Sequence, residues 1–303
     1  MLESVVIQGT SLKLAQPDEL TVEWIGNQGV QEQLMASWLT LGPKDLPLTP
    51  RIIGYPGVGK TTLAYHVAKS LGKPVYMMQC TMDTRPEDLL VTPVLGENGE
   101  ISYHASPLVT AMIKGGVCIL DEGNRMSEKS WASLAPLLDT RRYVESILAG
   151  VKIKASPEFR LCVTMNEDAS TYEIPEYIQS RLKPQIEVPF PNREEEMQIL
   201  SWNVPLAGEQ LVQYVADFLQ KAHHVNYPFS SRDGVHILRY VLKMGHLKQI
   251  APEGLLAEGI EAVLGDDGRE FLDGGVPSDR MRGAYRDLES EEDELPEDDE
   301  SEF

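Results

Sequence analysis

The chain has 303 residues, of which 42% are hydrophobic and 24% are charged, and its formal net charge at pH 7 is −20. This length and composition allow a sizeable buried core in one large or two modest domains. The acidic balance argues against direct binding of duplex nucleic acid, because such binding relies on basic surfaces that reach phosphates.

The cysteines and the apolar runs indicate the compartment. Cys80, Cys118 and Cys162 lie in apolar, strand-like runs, and an odd number without paired spacing argues against a disulfide framework or a zinc site. Glu3 and Gln8 interrupt the start of the sequence, which argues against a signal peptide, and no apolar run approaches the length of a membrane span. We therefore expect a soluble cytoplasmic protein with no membrane contact.

The first segment extends to about Pro50. Within Val22–Leu39 the periodicity predicts an amphipathic helix, because Val30, Leu34 and Trp38 recur loosely on one side. A loop rich in turn formers follows, and it leads into the most informative stretch of the chain.

That stretch is a glycine-rich sequence that fits G-x-x-x-x-G-K-[ST] at every fixed position. The pattern predicts a phosphate-binding loop, because backbone N–H groups must converge on a phosphate and side chains would block that approach. The start of the following helix presents its unpaired amides to the same anion. The predicted nucleotide-binding residues are Gly54, Tyr55, Pro56, Gly57, Val58, Gly59, Lys60, Thr61 and Thr62. The alternative is a glycine-rich surface turn with no ligand.

The sequence on either side favours the nucleotide. Ile52 and Ile53 form a short apolar run before the loop, and Thr62–Leu71 has the periodicity of a helix that Gly72 can cap. Strand, loop and helix therefore follow in the order that the motif requires.

Four short elements are predicted between the helix at Thr62–Leu71 and residue 116. They are a buried strand over Pro74–Cys80, a helix from the capping-box pair Thr84 and Glu87 through Leu90, a turn at Gly96–Gly99 between two extended segments, and a helix over Pro107–Lys114 ended by Gly115 and Gly116.

A second informative stretch begins at Val117. The apolar run Val117–Leu120 predicts a strand covered on both faces, and Asp121 and Glu122 follow at its carboxyl end, where open α/β sheets bind their ligands. One carboxylate would hold Mg²⁺ through its water shell, and the other would orient and polarise the attacking water.

The chain then continues with a predicted helix over Ser127–Asp139 and a β-hairpin over Tyr143–Ala155 that turns near Ala149 and Gly150. The next strand, Phe159–Met165, ends in Asn166. We expect this amide to lie beside the Asp121 strand and to align the attacking water. The alternative is a simple turn former.

The last third of the chain predicts a helical lid and a tail. After a strand near Gln185–Val188, Pro189–Pro191 makes a hinge-like connection. Four amphipathic stretches follow, over Arg193–Trp202, Gln210–Ala222, Arg232–Met244 and Pro252–Leu264, and Gly265–Gly275 is predicted as a loop. The predicted domains are therefore residues 1–192, 193–265 and 266–303.

The tail is strongly acidic, since Asp287–Phe303 contains eleven acidic residues and no Lys or Arg. Such a block is typical of a disordered, solvated segment, and the alternative is a docking or solubility tail for a basic partner.

Four motifs of this sequence together resemble those of a known ATPase family. Gly54–Thr61, Asp121–Arg125, Thr164–Asn166 and Ser180–Leu182 resemble those of AAA+ ATPases of the MoxR type, and more distantly the AAA+ modules of dynein and midasin. The likeness extends from about Trp24 to Val241. Gly96–Leu108 resembles the helix-2 insert of that clade, and Tyr143–Ala155 resembles its insert before the sensor-1 strand. The resemblance implies an α/β P-loop NTPase fold, with a parallel sheet and a C-terminal helical lid.

It also implies roles for individual residues. Lys60 and Thr61 resemble the phosphate and Mg²⁺ ligands, Asp121 the second Mg²⁺ partner, Glu122 the catalytic base and Asn166 the sensor-1 residue. Arg181 resembles the arginine finger, which would reach the γ-phosphate of the neighbouring subunit. Arg232, with Arg239 close by, resembles the sensor-2 residue. The backbone of Ile25 and Gly26 would contact the adenine. Arg181 has the alternative of a surface ion pair. Arg125, Arg141 and Arg142 either face an intersubunit site or are solvated charges.

The function implied by the resemblance is ATP hydrolysis with Mg²⁺ in a homo-oligomeric ring, expected to be a hexamer, that remodels or matures a protein client. The family's clients suggest a protein with a von Willebrand factor A domain. Two alternatives stay open: a nucleic-acid motor or loader of the AAA+ class, and a nucleotide-gated binding module. The hairpin's Lys152 and Lys154 give the motor only weak support, because Glu145 lies on the same hairpin.

Overall fold

The structure is a computed structural model that describes residues 3–96, 99–166, 174–225 and 227–274. Its contacts divide the chain into two compact units, with the division between Pro191 and Asn192. The acidic tail and the segment just after Asn166 lie outside the described residues.

The first unit contains both strands and helices, and the described part of the second unit is helical. The strands are β1 Ser4–Ile7, β2 Thr10–Lys13, β3 Arg51–Gly54, β4 Val75–Gln79, β5 Val91–Leu95, β6 Ile101–Ala105, β7 Val117–Asp121, β8 Tyr143–Ser146, β9 Val151–Lys154, β10 Arg160–Asn166 and β11 Gln185–Glu187. The helices are α1 Gln28–Trp38, α2 Lys60–Ser70, α3 Pro86–Leu89, α4 Pro107–Lys114, α5 Glu128–Leu134, α6 Glu176–Gln179, α7 Arg193–Asn203, α8 Glu209–His224, α9 Ser231–Lys248 and α10 Leu256–Leu272.

A five-stranded parallel sheet positions the site. Its strand order is β11-β3-β10-β7-β4, which confirms the expected parallel α/β sheet. Alternate residues of β7 enter different core clusters, since Ile119 belongs to the cluster that includes residues of α1 and α2, and Leu120 to the cluster that includes residues of α4 and α5. Because both faces are covered, the strand is a continuous apolar run rather than an alternating one.

The register of the sheet aligns the carboxyl ends of four strands in two pairs. Asn166 at the end of β10 pairs with Gly54 at the end of β3, and Gln79 of β4 pairs with Asp121 of β7. The phosphate-binding loop, Asp121 and Asn166 therefore leave the sheet along one edge.

A second, four-stranded sheet has the order β1-β2-β6-β5. The turn predicted at Gly96–Gly99 does join two antiparallel strands, β5 and β6, although residues 97 and 98 are outside the described part. The sequence did not predict β1 and β2, which form a hairpin that adds to β6 in parallel through Leu12 opposite Tyr103. The predicted hairpin at Tyr143–Ala155 is present as the antiparallel pair β8 and β9.

Two helix boundaries in this unit differ from the predictions, and proline explains both. The helix expected from Thr84 begins instead at Pro86, and Asp88 accepts a hydrogen bond from the Arg85 N–H while the Thr84 hydroxyl accepts from Thr81. The helix expected to reach Asp139 ends at Leu134, because Pro136 has no N–H to continue the hydrogen-bond ladder.

The second unit is the predicted set of four helices, α7 to α10, around its own apolar core. Gly234 lets α9 approach its neighbours, since a Cβ there would lie 2.8 Å from Leu219 Cδ1 and 2.9 Å from Leu200 Cδ2. No helix in the described ranges is both long and apolar enough to cross a membrane.

The last helix corrects a prediction. Gly265 has a left-handed φ of 66°, yet the chain resumes a helix and α10 continues to Leu272. The loop predicted over Gly265–Gly275 and the lid boundary at residue 265 are therefore wrong for this stretch. The cause is burial, because the continued helix brings the Phe271 ring to 5.2 Å from that of Phe218.

Candidate functional site

The loop between β3 and α2 has the backbone that only glycine adopts easily. Gly54, Gly57 and Gly59 have φ of 146°, 85° and 96°. A Cβ on Gly54 would lie 2.6 Å from the carbonyl oxygen of Val188, so the loop also lacks space for a side chain there. The sequence thus builds a concave run of backbone amides that leads directly into the first turn of α2.

Lys60 begins α2 and lies inside this loop, with only 6% of its surface exposed. Its Nζ donates hydrogen bonds of 2.7 Å to the Gly54 carbonyl and 2.8 Å to the Tyr55 carbonyl. The ammonium is therefore placed at the centre of the loop, where it can neutralise phosphate oxygens.

Asp121 accepts hydrogen bonds from two threonines through the same oxygen. Thr61 Oγ1 donates to Oδ1 over 2.6 Å, and Thr164 Oγ1 donates to Oδ1 over 2.5 Å. The structure thus brings together Thr61 and Asp121, the two predicted metal ligands, although they are 60 residues apart.

Thr164 is a site residue whose role the sequence reasoning missed. Its hydroxyl also accepts a hydrogen bond of 3.1 Å from the Glu122 N–H, so it links the two consecutive acidic residues. A signal was present, because residues two apart on a strand point to the same face, which places Thr164 beside Asn166.

The Glu122 carboxylate is held from both sides. Asn166 Nδ2 donates to its Oε1 over 3.0 Å, and Arg125 Nε forms an ion pair with its Oε2 at 2.7 Å. Glu122 has a left-handed φ of 55°, which is uncommon for a residue with a side chain and common at functional sites. The predicted base and the predicted sensor residue are therefore in direct contact.

The turn after Glu122 is tightly fixed. Gly123–Arg125 is a 3₁₀ turn in which the Arg125 N–H donates to the Glu122 carbonyl over 3.0 Å. A Cβ on Gly123 would lie 2.2 Å from Val163 Cγ1, and Asn124 Nδ2 donates over 2.8 Å to the Asn166 carbonyl. These contacts fix the direction in which the Glu122 side chain leaves the sheet.

Burial raises the pKa of the Cys80 thiol, one strand away, to about 12, and Asp121 and Glu122 add to that effect. The thiol is therefore protonated at neutral pH and is a poor metal ligand. Within the described ranges there is no cluster of three or more His, Cys, Asp or Glu residues that could hold a metal.

Arg181 lies apart from this cluster of contacts. Its Nε is 3.9 Å from Asp139 Oδ2, its Nη1 donates to the Tyr177 carbonyl, and its guanidinium lies over the Tyr177 ring at 5.9 Å. In the described chain, none of these hydrogen bonds or ion pairs reaches Asp121 or Glu122.

The remaining predicted residues have separate locations. Arg232 is the second residue of α9 in the second unit, and its side chain is exposed. Near Ile25 and Gly26, the Trp24 indole covers the loop, since its Cζ3 would lie 3.2 Å from a Cβ on Gly59. The roles predicted for Arg232, Ile25 and Gly26 stay predictions.

The residues present fit Mg²⁺ and a triphosphate. Thr61 and Asp121 offer a hydroxyl and a carboxylate oxygen, the hard ligands that Mg²⁺ prefers, and one or two such ligands suffice when phosphates and water complete the shell. The loop around Gly54 and Gly59 supplies the amides, and Lys60 supplies the positive charge.

Comparisons with known proteins agree with this geometry. Residues 51–182 match the family described as the AAA domain of the dynein-related subfamily. The chain is 34% identical over 122 residues to Protein NorQ of Paracoccus denitrificans, which covers 40% of this chain and 44% of that protein. It is 35% identical over 115 residues to the denitrification regulatory protein NirQ of Stutzerimonas stutzeri, which covers 38% of this chain and 42% of that protein. The matched segments thus span less than half of these curated relatives.

A solved structure shares the fold at low sequence identity. A RuvB mutant of Thermotoga maritima superposes with a TM-score of 0.57 at 17% identity, over 81% of this chain and 73% of that chain. The RuvB Holliday junction branch migration motor of the same organism gives a TM-score of 0.53 at 16% identity, over 78% of this chain and 70% of that chain. At this identity the likeness concerns the fold.

Proposed function

We propose that this chain, whose residues 51–182 match the dynein-related AAA domain, is an AAA+ ATPase of the MoxR type that hydrolyses ATP in a ring of identical subunits and so remodels a protein partner. The observation that carries hydrolysis, rather than binding alone, is the contact between Asn166 and Glu122 beside the Thr61–Asp121 pair. A module that only bound nucleotide would not need a carboxylate held in this way.

Each residue of the site has a separate role in the proposed hydrolysis. Lys60 would exchange its hydrogen bonds to the loop carbonyls for bonds to phosphate oxygens, and Thr61 and Asp121 would hold the metal. Mg²⁺, when bound, neutralises charge on the phosphate oxygens. Glu122 accepts the proton of the attacking water, and Asn166 fixes the carboxylate and the water in line with the terminal phosphate.

The location of Arg181 supports the proposed ring. Its described polar contacts are with Asp139 and Tyr177 and not with the carboxylates of its own site. We propose that it stabilises the transition state at the nucleotide of the adjacent subunit, and a ring closes such head-to-tail contacts. Six subunits is the expected number.

The partner is proposed as a protein client, with a von Willebrand factor A domain protein as the first candidate. The free, buried Cys80, Cys118 and Cys162 fit a reducing compartment such as the cytoplasm. A nucleic-acid motor is disfavoured, because Lys152 on the β8–β9 hairpin is paired with Glu145 at 3.6 Å and the chain is strongly acidic.

A phosphate-release assay with ATP and Mg²⁺ tests the proposal. Hydrolysis that rises more than in proportion to protein concentration supports the ring, and no hydrolysis under any assembly condition contradicts the enzyme. Pull-down with Glu122→Gln as a trap, followed by mass spectrometry, identifies the client. Recovery of nucleic acid in place of protein would favour the motor.

A further inference from the structure

Two arginines from distant parts of the chain converge on one carboxylate. Asp139 accepts hydrogen bonds from Arg141, with Nε at 3.0 Å from Oδ1 and Nη2 at 2.7 Å from Oδ2. Arg181, 42 residues further along the chain, places its Nε 3.9 Å from the same Oδ2. The two guanidiniums therefore share a single anion.

The two arginines are held with different strength. Arg141 forms a bidentate pair with Asp139, and such a pair is stronger than a contact through a single nitrogen. The Arg141 hydrogen bonds also lower the pKa of Asp139. Arg181 makes only a loose ion pair, and its guanidinium stacks on the Tyr177 ring. Arg181 can therefore move away from Asp139 without leaving that carboxylate unpaired, because Arg141 still neutralises it.

The cluster carries an excess of positive charge at an accessible place. Two guanidiniums share one carboxylate, and the side chains of Arg141 and Arg181 are 53% and 30% exposed. A phosphate group offers three acceptor oxygens and up to two negative charges, so it can bind both guanidiniums more completely than one carboxylate can.

The adjacent Arg142 shows that an exposed guanidinium is not a general property of the arginines in this segment. Arg142 points into the protein, where Nη2 donates over 3.1 Å to the Phe159 carbonyl and the guanidinium lies over the Phe159 ring at 5.8 Å. Its left-handed φ of 48° turns the chain between the two residues. Arg142 is therefore structural, and Arg141 is the one presented outward.

We propose that Arg141 acts together with Arg181 as a second arginine that binds the terminal phosphate of a nucleotide held by a second copy of this chain. Arg141 keeps its pairing with Asp139 and donates its remaining N–H groups to that phosphate, while Arg181 exchanges its loose contact with Asp139 for the phosphate. This inference rests on the proposed function, and it adds Arg141 and Asp139 to the shared site.

The test is complementation between two inactive variants. Arg141→Ala is expected to lower hydrolysis by about two orders of magnitude in the assembled protein, since a trans-acting arginine contributes at least that much. When Arg141→Ala subunits are mixed before assembly with Glu122→Gln subunits, some sites combine an intact base with an intact arginine. Random assortment around a ring makes about a quarter of the sites complete, so activity should return to about that share of the wild-type rate.

The controls separate this proposal from the function on which it rests. Lys129→Ala, an exposed charge on α5, should hydrolyse at the wild-type rate. Arg181→Ala mixed with Glu122→Gln should also recover activity. If that mixture recovers and the Arg141→Ala mixture does not, Arg141 acts only within its own chain and the proposal is wrong, while the ring stands.

Two other outcomes also decide the matter. Near wild-type hydrolysis by Arg141→Ala alone overturns the role of Arg141. Failure of both mixtures, with wild-type turnover that is independent of dilution, overturns the shared site itself.

Discussion

The side-chain amide of Asn166 donates a hydrogen bond of 3.0 Å to Oε1 of Glu122, and this contact joins the ends of two strands that are adjacent in the sheet. Arg125 pairs with the other oxygen, Oε2, and each oxygen keeps a further lone pair that can accept a hydrogen bond from a water molecule. A base that is fixed at both oxygens and can still bind water is suited to activating that water for in-line attack.

The first prediction concerns this base. Glu122→Gln keeps the shape of the side chain but cannot accept a proton, so kcat should fall by about 10²- to 10⁴-fold while nucleotide affinity is kept. Phosphate release and the binding of a fluorescent ATP analogue measure the two quantities. Undiminished hydrolysis would remove Glu122 from the catalytic role.

Asn166→Ala should also lower kcat with little change in KM, because the amide positions the base and does not hold the phosphates. Combining it with Glu122→Gln should add little further loss, since both changes remove the same function. Fully additive losses would show that the two residues act independently.

The second prediction concerns Arg181. Arg181→Ala should assemble normally but hydrolyse ATP about 10³-fold more slowly or worse, because an arginine finger is absent from every site. Size-exclusion chromatography with light scattering reports assembly, and phosphate release reports turnover. Full activity in a dilute monomer would refute a finger supplied by a neighbour.

The third prediction concerns the metal. Chelation with EDTA should abolish hydrolysis, and Thr61→Ala should raise the Mg²⁺ concentration for half-maximal activity by about tenfold or more, because one oxygen ligand is lost. Thr92→Ala, which removes an exposed hydroxyl on β5, is the matched control. An unchanged Mg²⁺ dependence in Thr61→Ala would exclude that hydroxyl as a ligand.

The fourth prediction concerns Gly123. Because a Cβ at this residue would lie 2.2 Å from Val163 Cγ1, Gly123→Ala should destabilise the protein by about 1 to 3 kcal/mol and displace Glu122. Chemical denaturation and kcat should both show the effect. Gly254→Ala, where nothing lies within 4 Å, should leave both quantities nearly unchanged.

The fifth prediction concerns a buried carboxyl group in the helical unit. Glu196 of α7 is 0% exposed, and neither of its oxygens has a hydrogen-bond partner among the described residues. Burial raises its pKa from 4.5 to about 7, Glu195 adds to the increase, and nearby Ser231 opposes it. The folded state thus binds this proton more tightly than the unfolded state between these two pH values.

The unfolding free energy should therefore increase as the pH falls from about 7 towards 4.5, and the cost of the ionised carboxylate is fully present above pH 7. Glu196→Gln should stabilise the protein by about 2 to 3 kcal/mol at pH 8 and by little at pH 4.5. Denaturation at both pH values measures the difference, with the exposed Glu194→Gln as control. A pH-independent effect would show that the charge of Glu196 is not the cause.

The sequence predicted the parts of the site that are contiguous or that follow buried strands. Gly54–Thr61 and Asp121–Glu122 carry their chemistry in their spacing, so the loop and the carboxylates are where they were expected. The position of Thr164 depends on which strands are neighbours, and the pairing of Arg125 with Glu122 depends on a 3₁₀ turn. Period-two alternation places Thr164 on the face of Asn166, but it does not show the contact of Thr164 with Asp121 or the pairing of Arg125.

The missed elements have the same explanation. Strands β1 and β2 are four residues each, and the hairpin that they form is stabilised by the pairing of β2 with β6, which lies far along the chain. The end of α10 was missed because Gly265 is a local break signal, while aromatic burial of Phe271 decides the outcome. Tertiary contacts outweigh local signals in both places.

The pairing of Leu12 with Tyr103 also has a consequence for synthesis of the protein. A ribosome adds about 5 to 20 residues per second, so the β1–β2 hairpin waits on the order of ten seconds for the strand that completes its sheet. During that time a short two-stranded hairpin is at best marginally stable, and its edge is open to other nascent chains. The N-terminal hairpin should therefore be among the last parts of its unit to become protected from hydrogen exchange, and among the parts most dependent on chaperones before residue 105 emerges.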